Sequence, residues 1–229
     1  MDIKAPVLTP RLAAAASFVR KGAIVADVGT DHAYLPISLV LSGKAKRAVA
    51  SDINEGPYLR ARANVKNHSL ENKIDTLHTA GLCKVEQFAP TDIVICGMGG
   101  ELICSIINDA PWVKNTSVRL VLQPMTHSEI LRKHLLDNNF QIIDEKLAKE
   151  EKIYEIICAE YTPQGNKEEY SDAELLLGKK NIERTDKLCF ELAENHLRTL
   201  KKIAEAKRAA SADATKEESL IKQLEELKK

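Results

Sequence analysis

The 229-residue sequence predicts an α/β protein. A mostly parallel sheet with one antiparallel strand carries helices on both faces, and a C-terminal helical hairpin follows. Three observations predict this. Strand-like and helix-like runs alternate five times in the first 160 residues. Two period-two stretches, 140–148 and 152–160, flank Lys149-Glu150-Glu151 as the arms of a hairpin do. Past Pro163 the apolar residues change to helical spacing bordered by lysine and glutamate.

Each element has its own local signal. Thr9-Pro10 starts a first helix reaching about Val19, with Thr9 as N-cap and Pro10 in the first turn. Lys21-Gly22 ends it. A β-branched run at 23–28 is the first strand. A helix from Tyr34 to Leu41 holds Pro36 in its first turn, and Ser42-Gly43 closes it. Strand 47–53 leads to a helix from about Pro57 to Asn67. Strands at 74–79, 92–96 and 118–122 follow, with helices at 101–108 and 127–138 between and after them. The hairpin then supplies the antiparallel strand. Ser171-Asp172-Ala173-Glu174 reads as a capping box. Leu188, Leu192, Leu197, Leu200, Ile203 and Ala204 mark one apolar stripe, and Leu220, Leu224 and Leu227 a second. The expected division is residues 1–163 for the α/β domain and 164–229 for the helical one. The short second arm favours a monomer over a long parallel dimer.

Apolar residues at 44% and charged residues at 29% fit a soluble globular chain. Net charge is zero, but residues 1–66 carry ten lysines and arginines against five carboxylates. That imbalance points weakly to a polyanionic partner. The cysteines at 83, 96, 104, 158 and 189 show no paired spacing, so neither a disulfide framework nor a metal site is expected. No signal peptide or membrane span is read, and a cytoplasmic location is expected.

Chemistry-bearing residues gather where the strands end, the ligand edge of such folds. Asp27-Val28-Gly29-Thr30-Asp31-His32 offers one glycine flanked by two carboxylates. A pyrophosphate-binding turn wants several glycines and no negative charge. Two like charges about 4 Å apart repel by about 4 kcal/mol at an effective dielectric near 20. A cofactor with a positive centre and a free amine is favoured instead, and S-adenosylmethionine has both. Asp27 is placed to accept from its amine. Asp52, ending the next strand, suits ribose hydroxyls, although it also suits a turn cap. Gly97-Met98-Gly99-Gly100 lets a flat group approach the backbone, and three glycines exceed what a tight turn needs. Gln123 can donate and accept at a base edge, while His127 reads equally as a helix-start residue.

Asp27-Val-Gly-Thr-Asp-His-Ala-Tyr-Leu-Pro36, Ser51-Asp-Ile-Asn-Glu-Gly-Pro57, Gly97-Met-Gly-Gly100 and Leu122-Gln-Pro124 together resemble the bacterial TrmK family over residues 8–160. These are S-adenosylmethionine-dependent methyltransferases acting on N1 of the adenine at tRNA position 22. The resemblance implies a class I, Rossmann-like methyltransferase sheet and a C-terminal coiled-coil domain. It implies cofactor binding by Asp27, Gly29, Asp52, Ile53, Ala80, Gly81 and Gly97. It implies a substrate floor of Met98, Gly99 and Gly100 with Gln123, bordered by Tyr34, and a catalytic part for Asp31 beside the cationic product. Ala80 departs from the acidic or amide residue common in the family. The contact to the cofactor's adenine amine then passes to backbone, or to His78 or Thr79. The implied partner is tRNA, with Arg11, Arg20, Lys21, Arg60, Arg62, Lys201 and Lys202 as basic candidates, and no metal is implied. The rival readings are a methyltransferase acting on a small molecule or protein, with the hairpin used to dimerise, and a non-catalytic module that senses the cofactor.

Overall fold

The computed structural model describes residues 4–165 and 168–227. Asn166, part of the expected boundary, lies outside the described residues, as do Met1–Ile3. The chain divides into two compact units between Asn166 and Lys167.

The first unit is a seven-stranded sheet of order β3-β2-β1-β4-β5-β7-β6. Its strands are β1 (Ala23–Val28), β2 (Ala45–Asp52), β3 (Ile74–His78), β4 (Asp92–Met98), β5 (Arg119–Pro124), β6 (Phe140–Lys149) and β7 (Ile153–Tyr161). β1 to β5 pair in parallel, and β7 runs antiparallel to both β5 and β6. The helices are α1 (Pro10–Phe18), α2 (Tyr34–Leu41), α3 (Glu55–Asn67), α4 (Gly100–Asn108) and α5 (Ser128–Asp137).

Burial on both faces explains the central strands' uninterrupted apolar runs. Val94 and Val121 pair in register and belong to one buried cluster with Phe18 of α1 and Leu35 and Leu39 of α2. Their neighbours Ile93, Ile95, Leu120 and Leu122 alternate with them along the two strands and are fully buried. α4 packs against β4 and β5, and Gly100, Ile103, Cys104, Ile106 and Ile107 are its buried positions. Each such side chain contributes about 1.5–3 kcal/mol when removed from water.

The chain runs outward through β1, β2 and β3, then crosses back to β4. Strand order therefore reverses between β1 and β4, and the loops after those strands diverge. The end of β4 differs from the sequence reading. Gly97 and Met98 continue β4 rather than open a loop. The β4–β5 register slips between Cys96 and Met98, so Gly97 is a bulge in the strand.

Among its described residues the second unit holds four helices, not two: α6 (Asp172–Leu177), α7 (Lys179–Glu183), α8 (Lys187–Ala209) and α9 (Thr215–Glu226). The capping box forms, Ser171 and Glu174 satisfying each other's backbone N–H. Gly178, at φ +86°, separates α6 from α7. Asp186 starts α8 afresh by accepting from Leu188 N–H at 2.9 Å. α8 and α9 run antiparallel, tied by Lys201–Glu225 at 2.7 Å and Lys207–Glu217 at 2.8 Å. Leu197, Ala204 and Leu224 are buried in this unit, whereas Ile203 is 40% exposed.

Candidate active site

A cavity of about 1,090 Å³ opens at the C-terminal ends of β1, β2, β3 and β4. Val28 and Gly29 bring β1 to it, and Asp52, Ile53 and Asn54 bring β2. Thr79, Ala80 and Gly81 follow β3, and Cys96, Gly97 and Met98 end β4. Position alone makes it the ligand site of this architecture.

The turn after β1 is fastened to β2. Gly29 N–H and Thr30 N–H both donate to Ser51 O, at 2.8 and 3.0 Å, and Ala33 N–H donates to Thr30 Oγ1 at 3.1 Å. Gly29 takes φ +78°, and a Cβ there would stand 2.1 Å from Met98 Cε. Glycine is thus needed for its angle, while the Met98 methyl folded across it is a flexible side-chain end that can shift.

Asp27 is buried at the end of β1. Burial pushes its carboxyl up to about 6, the Thr30 hydrogen bond pulls it back in part, and Asp52 adds to the rise. A carboxylate so placed gains most from a cationic ligand. Asp52 is almost wholly buried, yet it lines the cavity. Its Oδ1 accepts Asn54 N–H at 2.7 Å, which leaves Oδ2 for another donor. Cap and ligand contact are therefore compatible.

Asp31 does not line the cavity. Its side chain is 57% exposed and pairs with Arg60, whose Nε donates to Oδ1 at 2.9 Å, while His32 Nε2 lies 3.4 Å from Oδ2. His32 and Tyr34 stack with ring centroids 5.0 Å apart, and Tyr34 is 42% exposed.

Two substrate-floor residues read otherwise in the structure. Gly100 is buried at the start of α4, where a Cβ would lie 2.3 Å from His127 O. Helix packing against the 126–127 backbone explains that glycine without a ligand. Gln123 has no exposed surface. Its Oε1 accepts from Arg11 Nη1 at 3.1 Å and Gly97 N–H at 3.2 Å, and its Nε2 donates to Pro124 O at 2.8 Å. Its amide is spent inside the protein, so it braces the Gly97 bulge rather than meeting a base edge.

Of the two side chains considered in place of Ala80, Thr79 lines the cavity but donates to Cys83 O at 3.1 Å. His78 lies 2.9 Å from Ile53 O and stacks on Tyr58. Polar side chains the sequence reading did not single out, Gln87 and Asp109, line the cavity and can accept from an amine. Leu102 and Ile106 of α4, four residues apart on one helix face, and the single tryptophan, Trp112, line it as well. The exposed Leu102 on an otherwise amphipathic helix was the available signal.

The basic candidates disperse. Arg20 is committed to Asp92 at the opposite edge of the sheet, with Nε to Oδ1 at 2.9 Å, and to Ser117 O at 2.7 Å. Arg60 is paired with Asp31 and Lys201 with Glu225. The five cysteines form no disulfide, and among the described residues no group of three His, Cys, Asp or Glu is placed to hold a metal.

The volume, the acidic strand ends and the lack of a pyrophosphate cradle fit S-adenosylmethionine. Residues 8–157 match the family model described as "Methyltransferase domain". The Bacillus subtilis tRNA (adenine(22)-N(1))-methyltransferase is 37% identical over 154 residues, which are 67% of this chain and 65% of that enzyme. The alignment thus spans just under two thirds of that relative's length. The crystal structure of the B. subtilis m1A22 tRNA methyltransferase TrmK superposes with a TM-score of 0.82 at 30% identity, covering 96% of this chain and 95% of the other. A Streptococcus pneumoniae protein in complex with S-adenosyl-L-methionine superposes at 0.84 with 34% identity, covering 95% and 99%. By sequence, by sheet order and by this site, the chain belongs to the bacterial TrmK family of S-adenosylmethionine-dependent methyltransferases.

Proposed function

We propose that the protein methylates N1 of an adenine in tRNA, at position 22, with S-adenosylmethionine as donor. One observation carries the reading: buried Asp27 and cavity-lining Asp52 stand around a single glycine, Gly29, so the site favours a cationic cofactor over a dinucleotide. The tRNA part rests on what the B. subtilis relative is named for.

When bound, the cofactor supplies an electrophilic methyl carbon on a sulfonium. The chain's own residues hold and shield. Asp52 Oδ2 accepts from the ribose hydroxyls. Asp27 accepts from the methionine amine, and the cation holds its carboxylate ionised. Ile53 covers one face of the cofactor's adenine, while Ala80 and Gly81 backbone, with Gln87 or Asp109, meets its edge. Gly97, Met98 and Gly99 form the floor under the target base, and the Tyr34–His32 stack borders it. The N1 lone pair forms the new bond to carbon as the carbon–sulfur bond breaks, and the positive charge passes to the adenine. Asp31 faces that charge from the rim, once Arg60 gives it up. Good alignment of such a displacement contributes up to about 7–11 kcal/mol. An adenine in folded tRNA must leave its stack to reach the floor. Among the described residues no helix is long and apolar enough to cross a membrane, and the reading places the enzyme in the cytoplasm with tRNA, as a monomer.

The test is transfer itself. The protein is incubated with labelled S-adenosylmethionine and tRNA lacking the modification, and the RNA is digested. The label is expected in 1-methyladenosine. Label on small molecules or protein and none on RNA sinks the tRNA reading and supports its rival.

A further inference from the structure

An enzyme that acts on folded RNA meets it largely through phosphates, and the cations that do so lie outside the reaction cavity. In the first unit, α3 carries such cations. Asp52, Ile53 and Asn54 line the cavity, and α3 starts at the next residue, Glu55. The helix leads away from the cavity mouth with Arg60, Arg62 and Lys66 along it. Its one carboxylate, Glu55, sits in the first turn, where the helix dipole favours an anion. Three cations against one carboxylate make α3 the most basic helix of the unit. α1 has Arg11 alone, α2 has no charge, α4 has only Glu101, and the formal charges of α5 balance.

Helical periodicity divides these side chains. Ala61 and Val65 are the buried positions and face the sheet. Arg62 and Lys66, four residues apart, share one flank of the exposed face. Arg60 lies on the other flank, with Leu59 and Ala63 exposed between them. From Arg60 to Lys66 the axis advances about 9 Å, a span in which one strand of a duplex presents roughly two or three phosphates.

The two flanks differ in their partners. The Arg62 and Lys66 side chains are exposed and make no hydrogen bond or ion pair among the described residues. Arg60 is held. Its Nε donates to Asp31 Oδ1 at 2.9 Å, and Nη2 donates to the same oxygen. Nη1 lies back over the first turn, where a Cβ on Gly56 would stand 3.5 Å from it. The turn that carries Asp31 is fastened to α3 a second time, by Asn64 Nδ2 donating to His32 O at 3.0 Å. Loss of the Arg60–Asp31 pair therefore leaves the turn in place. Both side chains of the pair are at least half exposed, so solvent keeps it weak. A phosphate offers the guanidinium a bidentate charged partner in exchange.

We propose that the exposed face of α3 is the track on which the backbone of the substrate RNA docks, with Arg60 shared between that backbone and Asp31. Arg62 and Lys66 take phosphates directly. Arg60 passes from Asp31 to a phosphate as the RNA arrives, so Asp31 is released from its cation only when substrate is in place. Arg60 is thus a positioning residue that couples docking to the carboxylate at the rim. This rests on the tRNA reading above.

The test titrates unmodified tRNA against the full chain between about 50 and 200 mM salt. The double variant Arg62→Gln/Lys66→Gln should weaken binding and lower the slope of log affinity against log salt by about 1.5 to 2, the share of two phosphate contacts. Turnover at saturating tRNA and S-adenosylmethionine affinity should stay within about twofold, as when binding alone is lost. The charge-keeping variant Arg62→Lys/Lys66→Arg should restore affinity and slope. Arg60→Gln is measured alone and beside Asp31→Asn. Its cost to tRNA affinity should be about two- to fivefold greater beside Asp31→Asn, where no ion pair has to be broken first. Unchanged affinity and slope in the double glutamine variant overturn the track and leave the face to another partner. Equal weakening of tRNA and S-adenosylmethionine binding, with a lowered melting temperature, overturns it in favour of a role in the fold. An equal cost of Arg60→Gln in both backgrounds overturns the sharing. A wild type that binds no tRNA removes the tRNA reading and the proposal together, a result distinct from the others.

Discussion

Gly29 and Met98 meet across the crevice between β1 and β4, with room for no atom between them: a Cβ on Gly29 would stand 2.1 Å from Met98 Cε. Gly29→Ala therefore meets two obstacles. The left-handed angle costs about 1–2 kcal/mol, and the end of the Met98 side chain must shift. S-adenosylmethionine affinity should fall more than tenfold by calorimetry. The double variant Gly29→Ala/Met98→Ala removes the clash but not the strain, and should recover binding only in part. Wild-type affinity in the single variant would mean that Met98 moves aside at no cost to the site.

Asp27 sets a conflict between stability and function. Its folded pKa, about 6, lies above the 3.8 usual for an aspartate in water. The contribution to folding is full below pH 3.8 and is lost as pH rises through about 6. At neutral pH the ionised, buried group therefore destabilises the empty protein, by on the order of 3 kcal/mol at most. Asp27→Asn should raise the melting temperature at pH 7.5 and have little effect near pH 4. The same change should abolish most cofactor affinity. In the wild type, affinity should weaken as pH falls below about 6, with proton release on binding that appears below about pH 6 and fades above it.

Asp52→Ala should weaken S-adenosylmethionine binding by at least tenfold, since a buried acceptor facing the ribose is lost. Because Asp52 Oδ1 also caps Asn54 N–H, a melting scan separates the two roles. Asp52→Asn keeps an acceptor for the cap and should restore more stability than affinity. Unchanged affinity in both variants would remove Asp52 from the ribose role.

Asp31 and Arg60 form an exposed ion pair whose strength is limited by solvent. Asp31→Ala should lower turnover more than it lowers tRNA affinity. Arg60→Gln should leave S-adenosylmethionine affinity within about twofold. Full turnover in Asp31→Ala would strip Asp31 of a catalytic part.

Arg132 lies fully buried between Glu145, at 2.7 Å, and Glu155, at 2.6 Å, with Ser128 Oγ also donating to Glu155. Arg132→Ala leaves buried carboxylates short of their cation and should cost about 3–5 kcal/mol in chemical denaturation. Replacing Arg132, Glu145 and Glu155 together by apolar residues of like volume should cost far less. An Arg132→Ala protein as stable as wild type would mean that water reaches the cluster.

The strand-by-strand reading and the loop chemistry were legible because both are local. The bounds of β1 and α2 follow from β-branched runs and from Pro36, and they match the structure residue for residue. The acidic turn was legible too, because Asp27, Gly29 and Asp31 sit within five residues. The division of the C-terminal helices was not, since Gly178 and Asp186 break a periodic pattern at points where the apolar spacing continues.

What the sequence determined by itself was the sheet, the ligand edge and the sign of the charge the site wants, since periodicity, turn chemistry and local carboxylates need no partner to be read. Only the tertiary structure decided how those parts are used. It buried Gln123 and spent its amide on Arg11 and Gly97, residues 112 and 26 positions away in the chain. It explained Gly100 by backbone packing and moved Asp31 to the rim against Arg60. Such pairings depend on which strand ends come side by side, and long-range hydrogen bonds leave no periodic trace in the chain.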